Sequence, residues 1–394
     1  MLKTGFAKGR QCQDTVDGVT PAESSRRCIC SRRHCLFFIL VLGAVLFFYS
    51  TDLKEMKPDW NPKWLTSFKK QDVISPSTDS LNSATGSSTF PRSDNITSPK
   101  VTQQEAEPPA PVPYKSPGPY LVEYPWEYHF VINEPKTCEQ QKPFLVLMVP
   151  VAPHNRAHRD VVRSTWGGES LVLDKVVKLF FLLGLQTGEG AEQIQEQLLQ
   201  ESKEHRDLIQ SDFLDCYKNL TIKTMVMLEW LDSHCSGASY AMKIDSDMFL
   251  NLSNLVKMLL NAPKTNYMTG LVARNAEVLR DKSSKWYVPE ELYSNPQYPP
   301  YPLGLGYVLS LDLPKKLVEA SRHIKPIYIE DVSLGLCLKH LGINPTDPPN
   351  GGYFNVFPVP YSRCAYSRLV ATTTHEHTDR VRDWKDFIKP GPYC

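Results

Sequence analysis

The sequence predicts an α/β domain with a mainly parallel central sheet, preceded by a single transmembrane helix and a disordered stem. Two observations predict the domain: apolar runs of strand length, and segments of helical periodicity that alternate with them. Strands that alternate with helices are typical of parallel sheets, because each helix carries the chain back across the sheet. A third observation, one uncharged apolar run near the N-terminus, predicts the transmembrane helix.

That apolar run spans Cys35–Tyr49. A membrane-spanning helix needs roughly 17–25 residues, so the run is short and a cleaved signal peptide is the alternative. We favour an uncleaved signal-anchor over residues 35–50, because the preceding segment is long for a signal peptide and no small-residue cleavage site follows. A soluble extracellular protein, processed near residue 50, is a weaker alternative.

The charges around the apolar run predict the orientation of the chain. The first acidic residues after the run are Asp52 and Glu55, and the arginines just before it are Arg26, Arg27, Arg32 and Arg33. Because positive charge stays in the cytosol, residues 1–34 form a cytosolic tail and the rest of the chain lies in a lumen. A short span suits a thin bilayer, so we expect a single-pass type II protein of the Golgi membrane.

The composition separates a stem from a folded domain. Residues 51–119 are rich in Ser, Thr, Pro and Lys and poor in large apolar residues, so they cannot bury enough surface to offset the cost of ordering the chain. Residues 120–394 form the predicted domain. With a net charge of +1 and 22% charged residues, nothing indicates binding to nucleic acid.

Cysteines and glycosylation sequons fit a luminal domain. The expected glycosylation sites are Asn95, Asn219 and Asn251. An oxidising lumen favours disulfide bonds, and six cysteines allow three bridges in 15 connectivities, among which the sequence does not choose. These cysteines are Cys138, Cys216, Cys235, Cys337, Cys364 and Cys394.

Strands and helices alternate from residue 144 onward. Continuous apolar runs predict strands buried on both faces, at residues 144–151, 176–185, 208–210 and 240–244. Helices are predicted at residues 156–166, 191–204 and 221–233. The last of these is expected to be amphipathic, because Met225, Leu228 and Leu231 recur at helical spacing.

Two carboxylates follow the fourth predicted strand directly. Asp245 and Asp247 stand one residue apart, and ligands bind beyond the carboxyl ends of strands in open α/β sheets. Such a pair suits a hard divalent cation, Mn²⁺ or Mg²⁺, with phosphate oxygens completing the shell. The cation would neutralise charge on a departing diphosphate. The alternative is a surface turn or a helix cap.

A second acidic pair, Glu330 and Asp331, precedes a segment that is predicted to be helical. One interpretation is an N-cap with a first-turn acid that interacts with the helix dipole. The other is a general base that takes the proton from an acceptor hydroxyl.

Two arginines and one aspartate are further candidates for the donor site. Arg159 and Arg163 lie one helical turn apart and share a face, so they either grip uridine or diphosphate or form a solvated helix face. Asp215 precedes the third predicted helix and either orients donor-site residues or caps that helix.

The segment around residue 300 is rich in aromatic residues and glycine. Trp286 and Tyr287 offer an apolar platform to an acceptor sugar, or else pack into the core or a lid. Gly304 and Gly306 let the backbone approach the acceptor closely, or form a bulge or turn.

Five ordered motifs resemble the β-1,3-galactosyltransferase family, which includes β-1,3-N-acetylglucosaminyltransferases and is related to Fringe. The resemblance extends from about Phe144 to the C-terminus and includes the layout of anchor and stem. The motifs are Arg159-x-x-x-Arg163-Ser-Thr-Trp166, Asp212-Phe-x-Asp215-x-Tyr217-x-Asn219-Leu-Thr221-x-Lys223-Thr224, Lys243-x-Asp245-Ser-Asp247, Tyr298-Pro-Pro-Tyr301-x-x-Gly304-x-Gly306-Tyr307-Val-Leu-Ser310 and Glu330-Asp331-Val332-x-x-Gly335.

The resemblance implies a GT-A fold, a UDP-sugar donor, Mn²⁺ and inversion at the anomeric carbon. It implies that Asp247 is the direct metal ligand and that Asp245 lies close to the donor ribose or sugar. Lys243 and Ser246 belong to the same donor-binding motif. Leu303 departs from the family, because many members have a cysteine at this place.

The resemblance also implies that Asp331 is the catalytic base, with Glu330 on the donor side. The family places a metal-binding histidine about a dozen residues before a tryptophan. Here His375 and His377 lie nine and seven residues before Trp384. We choose His375 as the ligand, and an exposed loop histidine is the alternative.

The predicted function is transfer of galactose from UDP-galactose to the 3-hydroxyl of a GlcNAc-type or related HexNAc acceptor on glycoproteins or glycolipids. Transfer of GlcNAc to galactose is the close alternative, and Asp245-Ser-Asp247 favours the galactosyl members. A non-catalytic Golgi lectin or chaperone on the same fold is the alternative of a different class. Self-association into a homo-oligomer is left open.

Overall fold

The computed structural model describes residue 120 and residues 122–394. The predicted tail, signal-anchor and stem, and the sequon at Asn95, lie outside these residues. Within the described part, no helix combines the length and the apolar character that crossing a bilayer requires.

A mixed eight-stranded sheet, ordered β1-β5-β4-β2-β6-β9-β8 with β3 attached to β4, forms the centre of the domain. Its inner strands β5, β4, β2 and β6 run parallel, whereas β1, β9 and β8 run antiparallel to their neighbours. The mainly parallel centre is as predicted. The strands are β1 (Phe130–Ile132), β2 (Leu145–Pro150), β3 (Leu171–Val172), β4 (Lys175–Leu185), β5 (Leu208–Leu214), β6 (Tyr240–Ile244), β7 (Met248–Leu250), β8 (Met268–Ala273), β9 (Tyr301–Ser310), β10 (Phe354–Asn355) and β11 (Ala371–Thr373).

The helices follow the predicted alternation between β2 and β6. They are α1 (Thr137–Gln141), α2 (Arg156–Arg163), α3 (Ala191–His205), α4 (Leu220–His234), α5 (Leu252–Leu260), α6 (Leu313–Ser321), α7 (Glu330–His340), α8 (Arg363–Tyr366) and α9 (Arg380–Phe387). Short 3₁₀ turns stand at Trp166–Gly168 and Tyr217–Asn219. The helix predicted at 156–166 therefore ends earlier, at Arg163.

The helix α4 is not amphipathic, contrary to the prediction. Its residues are buried almost without interruption from Thr221 to Leu231, including Lys223. The reason is that α4 contacts β4 and β5 of the sheet as well as the helices α6 and α7. A helix covered from several sides needs no polar face.

A small second sheet, ordered β10-β11-β7, brings the C-terminal part of the chain to the end of β6. The strand β7 begins directly after Asp247, and Thr373 of β11 pairs with Met248 in antiparallel register. The residues that follow β11 therefore lie beside the aspartate pair.

Two disulfide bonds connect distant parts of the described chain, which confirms the prediction of bridges. They join Cys138 to Cys235 and Cys364 to Cys394. Cys337, which was expected to take part in a third bridge, is a free thiol in the buried face of α7. Its burial raises the pKa of the thiol to about 12.

Candidate active site

The predicted aspartate pair lies in a tight turn at the carboxyl end of β6. The backbone N–H of Asp245 donates to the carbonyl of Leu305, and the N–H of Met248 donates back to the carbonyl of Asp245. This turn leaves Asp245 half-buried and Asp247 exposed. The strand-end position that the sequence predicted for both carboxylates is therefore present.

Lys243 links this turn to the strand β9. Its buried ammonium group donates to Asp245 Oδ1 at 2.6 Å and to the carbonyl of Gly304. Burial tends to lower the pKa of Lys243, but the nearby charges of Asp245 and Glu330 outweigh burial and raise it. Lys243 therefore stays charged, and its ammonium group donates hydrogen bonds to protein groups.

The carboxylate of Asp245 has an unusual acidity. Burial raises its pKa, Lys243 opposes this effect and the charge of Asp247 adds to it, which brings the pKa to about 6. Two neighbouring carboxylates repel each other, and this repulsion makes the site receptive to a cation.

Asp331 is fixed by two backbone donors. Its Oδ2 accepts the N–H of Gly304 at 2.8 Å, and its Oδ1 accepts the N–H of Val332 at 2.9 Å. Burial raises the pKa of Asp331, although these N–H groups and Lys243 lower it in part. A carboxylate with fixed oxygens and a raised pKa is suited to accept a proton.

Glu330 is buried beside Asp331 and does not cap the helix. The N-cap position of α7 belongs to Ile329, and no side chain caps this end, so the N-cap part of the first interpretation is wrong. Both acids do lie in the first turn of α7, as its other part expected. Glu330 Oε1 instead accepts hydrogen bonds from Tyr307 at 2.7 Å and Thr224 at 3.1 Å. Burial raises the pKa of Glu330, with the charge of Lys243 opposing.

The carboxylates of Glu330 and Asp331 leave no room for a side chain at Gly304. A Cβ atom at this position would lie 2.9 Å from Glu330 Oε2 and 3.4 Å from Asp331 Oδ2, so a side chain would push the carboxylates away. Gly306 has only ordinary contacts, the nearest being Met242 Cε at 3.4 Å. The close approach at Gly304 is thus to the protein's own acids. Gly306 pairs with Ile244 of β6, and the pairing of β8 with β9 shifts register between Tyr307 and Pro302, the stretch that holds both glycines, which agrees with the predicted bulge.

Asp215 forms hydrogen bonds with other groups of the domain. Lys223 Nζ donates to Asp215 Oδ2 at 2.8 Å and Oδ1 at 3.0 Å, and to the carbonyl of Val151 at 3.1 Å. The N–H of Gly184 donates to Asp215 Oδ2 at 2.8 Å. These contacts join the ends of β2, β4 and β5, so Asp215 positions these strand ends, and its donor role stays a prediction.

Arg159 and Arg163 also bind protein groups, so neither of the two interpretations holds. Arg159 is 1% exposed and forms a bidentate pair with Glu201, at 2.7 and 2.6 Å. It also donates to the carbonyls of residues 152–153, in the loop after β2. Arg163 pairs with Asp207 at 2.8 Å and with Glu201 at 2.7 Å. Arg159 therefore positions the loop at the carboxyl end of β2, whereas Arg163 ties α2 to α3 and to Asp207, just before β5.

The C-terminal segment closes the other side of the aspartate turn. The hydroxyl of Thr374 donates to the carbonyl of Asp247, and Arg380 donates to the carbonyl of Ser246. His375 lies between these two anchors and is exposed. In the described chain no three His, Cys, Asp or Glu side chains are grouped as metal ligands, so the role of His375 stays a prediction.

His377 is likewise exposed. Sequence reasoning missed His158, whose Nδ1 lies 3.1 Å from the hydroxyl of Ser246. Burial and the charge of Arg380 lower the pKa of His158. No motif could reveal this contact, because α2 and β6 meet only in the folded chain.

Aromatic residues surround the approach to Asp331. Trp286 is half-buried, and the ammonium group of Lys285 lies 4.6 Å from its ring centroid and 5.9 Å from that of Tyr217. Tyr217, which is 39% exposed, was quoted in a motif but not predicted as a site residue. Burial and the charge of Asp331 raise its pKa to about 12, although a hydrogen bond from Trp286 lowers it.

Tyr287 has a packing role. Its carbonyl accepts the hydroxyl of Tyr328 at 2.6 Å, and its ring lies 5.5 Å from that of Tyr120. The role of Trp286 and Tyr287 as a platform for an acceptor sugar stays a prediction.

The two sequons in the described domain differ in accessibility. Asn251 is buried as the N-cap of α5, accepts the N–H of Asn254 at 3.1 Å and donates to the carbonyl of Tyr366 at 3.2 Å. A glycan attached at Asn251 would break these bonds, so the structure argues against the predicted glycosylation at this residue. Asn219 is half-buried and donates to the carbonyl of Leu214 at 2.8 Å.

Comparison with known proteins agrees with this arrangement. The galactosyltransferase family model matches residues 157–349. β-1,3-Galactosyltransferase 1 of Mus musculus is 38% identical over 267 residues, which cover 67% of this chain and 79% of that protein. This chain belongs to the galactosyltransferase family. The resemblance and the glycosyltransferase fold predicted from it are confirmed.

Other comparisons show which part of the chain the similarity covers. β-1,3-Galactosyltransferase 2 of Homo sapiens is 40% identical over 266 residues, which cover 66% of this chain but only 63% of that protein. The galactosyltransferase match includes Asp245, Asp247 and Asp331 and ends before His375. The apo structure of the WbbM bifunctional glycosyltransferase has a TM-score of 0.34 at 10% identity, over 64% of this chain and 50% of that one, which is too low to carry an argument.

The buried pair of Arg159 and Glu201 predicts a large stability effect. We expect Arg159→Met to lower the free energy of unfolding by about 3 kcal/mol, because it leaves a buried carboxylate with only Arg163 as partner. Arg156→Met is the control: this side chain is 44% exposed, and exposed pairs contribute less than about 1 kcal/mol. Equal losses in urea denaturation of both variants would contradict the assignment.

The burial of Asn251 predicts that its sequon is not used. After expression in a secretory pathway, mass spectrometry of peptides with and without glycosidase treatment should find Asn251 unmodified. Asn251→Ala should lower stability by about 1 kcal/mol, because the N-cap of α5 is lost, and it should not change the glycosylation-dependent mobility of the protein. A glycopeptide that contains Asn251 would refute this prediction.

Proposed function

We propose that the chain transfers galactose from UDP-galactose to the 3-hydroxyl of a GlcNAc-type or related HexNAc acceptor, with inversion. One observation carries the proposal: Gly304 joins the two acidic halves of the site, because its carbonyl accepts Lys243, the partner of Asp245, while its N–H donates to Asp331. Similarity to the β-1,3-galactosyltransferases 1 and 2 supports the donor and the linkage.

Asp331 is the proposed base. In a single displacement the acceptor hydroxyl attacks the anomeric carbon, its proton passes to a carboxylate oxygen of Asp331, and the bond from the sugar to UDP breaks. No enzyme nucleophile is needed. The two N–H donors from Gly304 and Val332 orient the carboxylate, and its raised pKa lets it hold the proton.

The aspartate turn fits a hard divalent cation. Within the described residues the carboxylate of Asp247 is exposed and forms no ion pair, and Asp245 beside it is half-buried with a raised pKa. Oxygen ligands of this kind suit Mn²⁺ or Mg²⁺. Asp247 and Asp245 would hold the cation, with His375 as the proposed further ligand. When bound, the cation neutralises charge on the diphosphate.

The position of the site relative to a membrane is part of the proposal. We propose a single-pass type II protein of the Golgi membrane with its domain in the lumen, supported by the apolar run at residues 35–50 and the arginines before it. The two disulfide bonds agree with an oxidising compartment.

The donor is tested by parallel assays of the full-length protein. UDP-galactose and UDP-GlcNAc are each offered with a panel of GlcNAc- and galactose-terminated acceptors, and products are identified by mass spectrometry. We expect turnover of UDP-galactose on GlcNAc-type acceptors. Turnover of UDP-GlcNAc alone would favour the N-acetylglucosaminyltransferase alternative, and binding of glycan without turnover of either donor would favour a lectin.

Replacing the base should remove transfer and leave binding. We expect Asp331→Asn to lower the turnover number by a factor of about 10² to 10⁴, because the amide cannot take the proton, whereas the affinity for UDP in calorimetry stays near that of the wild type. Asp174→Asn is the control, because Asp174 is exposed and lies at the amino end of β4, whereas the site lies at the carboxyl ends of the strands. Near wild-type turnover of Asp331→Asn would remove the assignment.

Cation binding should depend on pH near 6. Asp245 has a pKa of about 6, so it is mostly ionised above this pH and protonated below it, and the cation must then displace the proton. We expect the apparent affinity for Mn²⁺ to fall about tenfold per pH unit below 6, and Asp245→Asn to make this fall shallower. Calorimetric titrations from pH 5 to 7.5 measure it, and a flat profile in the wild type would contradict it.

A further inference from the structure

We propose that Arg380 binds the diphosphate of the nucleotide donor. The proposal deepens the proposed function and rests on it, because it takes a nucleoside diphosphate as the ligand of the aspartate turn. Arg380 lies outside the segment that the family model matches, and its place at the site follows from the folded chain alone.

The small sheet places Arg380 at the aspartate turn. Antiparallel pairing of Thr373 with Met248 aligns the chain after β11 with Asp247, and the hydroxyl of Thr374 donates to the carbonyl of Asp247. The next residues turn back, since the N–H of Thr378 donates to the carbonyl of His375 at 2.9 Å. Arg380 then begins α9.

The guanidinium group of Arg380 lies directly against the motif. It donates through one nitrogen to the carbonyl of Ser246, the residue between the two aspartates. Arg380 is half-buried. Burial lowers the pKa of its guanidinium group, and the nearby charge of Asp247 opposes this effect. The group therefore sits where a phosphate bound at Asp247 would lie within its reach.

The remaining N–H groups of Arg380 are available to a ligand. An arginine has five N–H donors, and the hydrogen bond to Ser246 is the one that its guanidinium forms within the described chain. Arg159 and Arg163 differ, because carboxylates occupy them. Of the arginines predicted or found near the turn, Arg380 is the one that keeps its charge unpaired.

The chemistry of a diphosphate matches this group. Lys243 offsets the charge of Asp245, and Asp247 offsets only part of the charge of a divalent cation. The negative charge of a diphosphate exceeds what remains, so it needs a further positive partner. The planar guanidinium pairs with two phosphate oxygens at once. Charge on the diphosphate increases as the bond to the sugar breaks, and a fixed cationic donor stabilises that charge.

The test compares ligands with and without phosphate. Titration calorimetry of the full-length protein with Mn²⁺ measures the affinities for UDP and for uridine, which lacks the diphosphate. We expect Arg380→Ala to weaken UDP binding about 10- to 100-fold and to leave uridine binding unchanged. Arg382→Ala is the matched control, because this neighbouring arginine is 72% exposed and pairs with Asp383; its UDP affinity should equal that of the wild type.

A second variant separates binding from folding. Arg380→Gln keeps an N–H donor for the carbonyl of Ser246 and loses the charge, so we expect the same loss of UDP affinity with a melting temperature near that of the wild type. UDP affinity unchanged in Arg380→Gln, or equal losses for UDP and uridine, would overturn the proposal and leave Arg380 as an anchor of the turn. A wild-type protein that binds no UDP would instead overturn the proposed function itself.

Discussion

The buried ammonium group of Lys243 is the interaction on which the site depends. It contacts the carboxylate of Asp245 and the carbonyl of Gly304, on two neighbouring strands. A buried charge without a partner costs several kcal/mol, so these groups must stay together. Because the N–H of Gly304 holds Asp331, Gly304 sets the distance between the aspartate turn and Asp331, the proposed cation site and the proposed base.

Other buried ion pairs stabilise the strand ends around this centre. Lys223 and Asp215 tie together the ends of β2, β4 and β5, and Arg159 holds the loop after β2 through Glu201. These charged residues looked like ligand contacts because they occur in the family motifs. In the structure their donors and acceptors contact protein groups and position the strand ends, whereas Arg380 keeps donors free.

The central strands could be predicted because each is a continuous apolar run, and a run buried on both faces needs no partner to be recognised. The edges of the sheet could not, since β8 and β9 pair antiparallel through contacts with distant strands. The same limit explains α4, whose helical spacing indicated one apolar face. Its burial on several sides comes from helices much later in the chain.

The sequence by itself determined the candidate residues: the carboxylates of Asp245, Asp247 and Asp331, whose places follow from a strand end and from motif order. Tertiary structure alone decided which charges are free. Arg159 is in a family motif yet paired, whereas Arg380 is in none and reaches the turn through the pairing of β11 with β7. The physical reason is that chemical identity is local to a residue, but the partner of a charge is chosen by long-range packing.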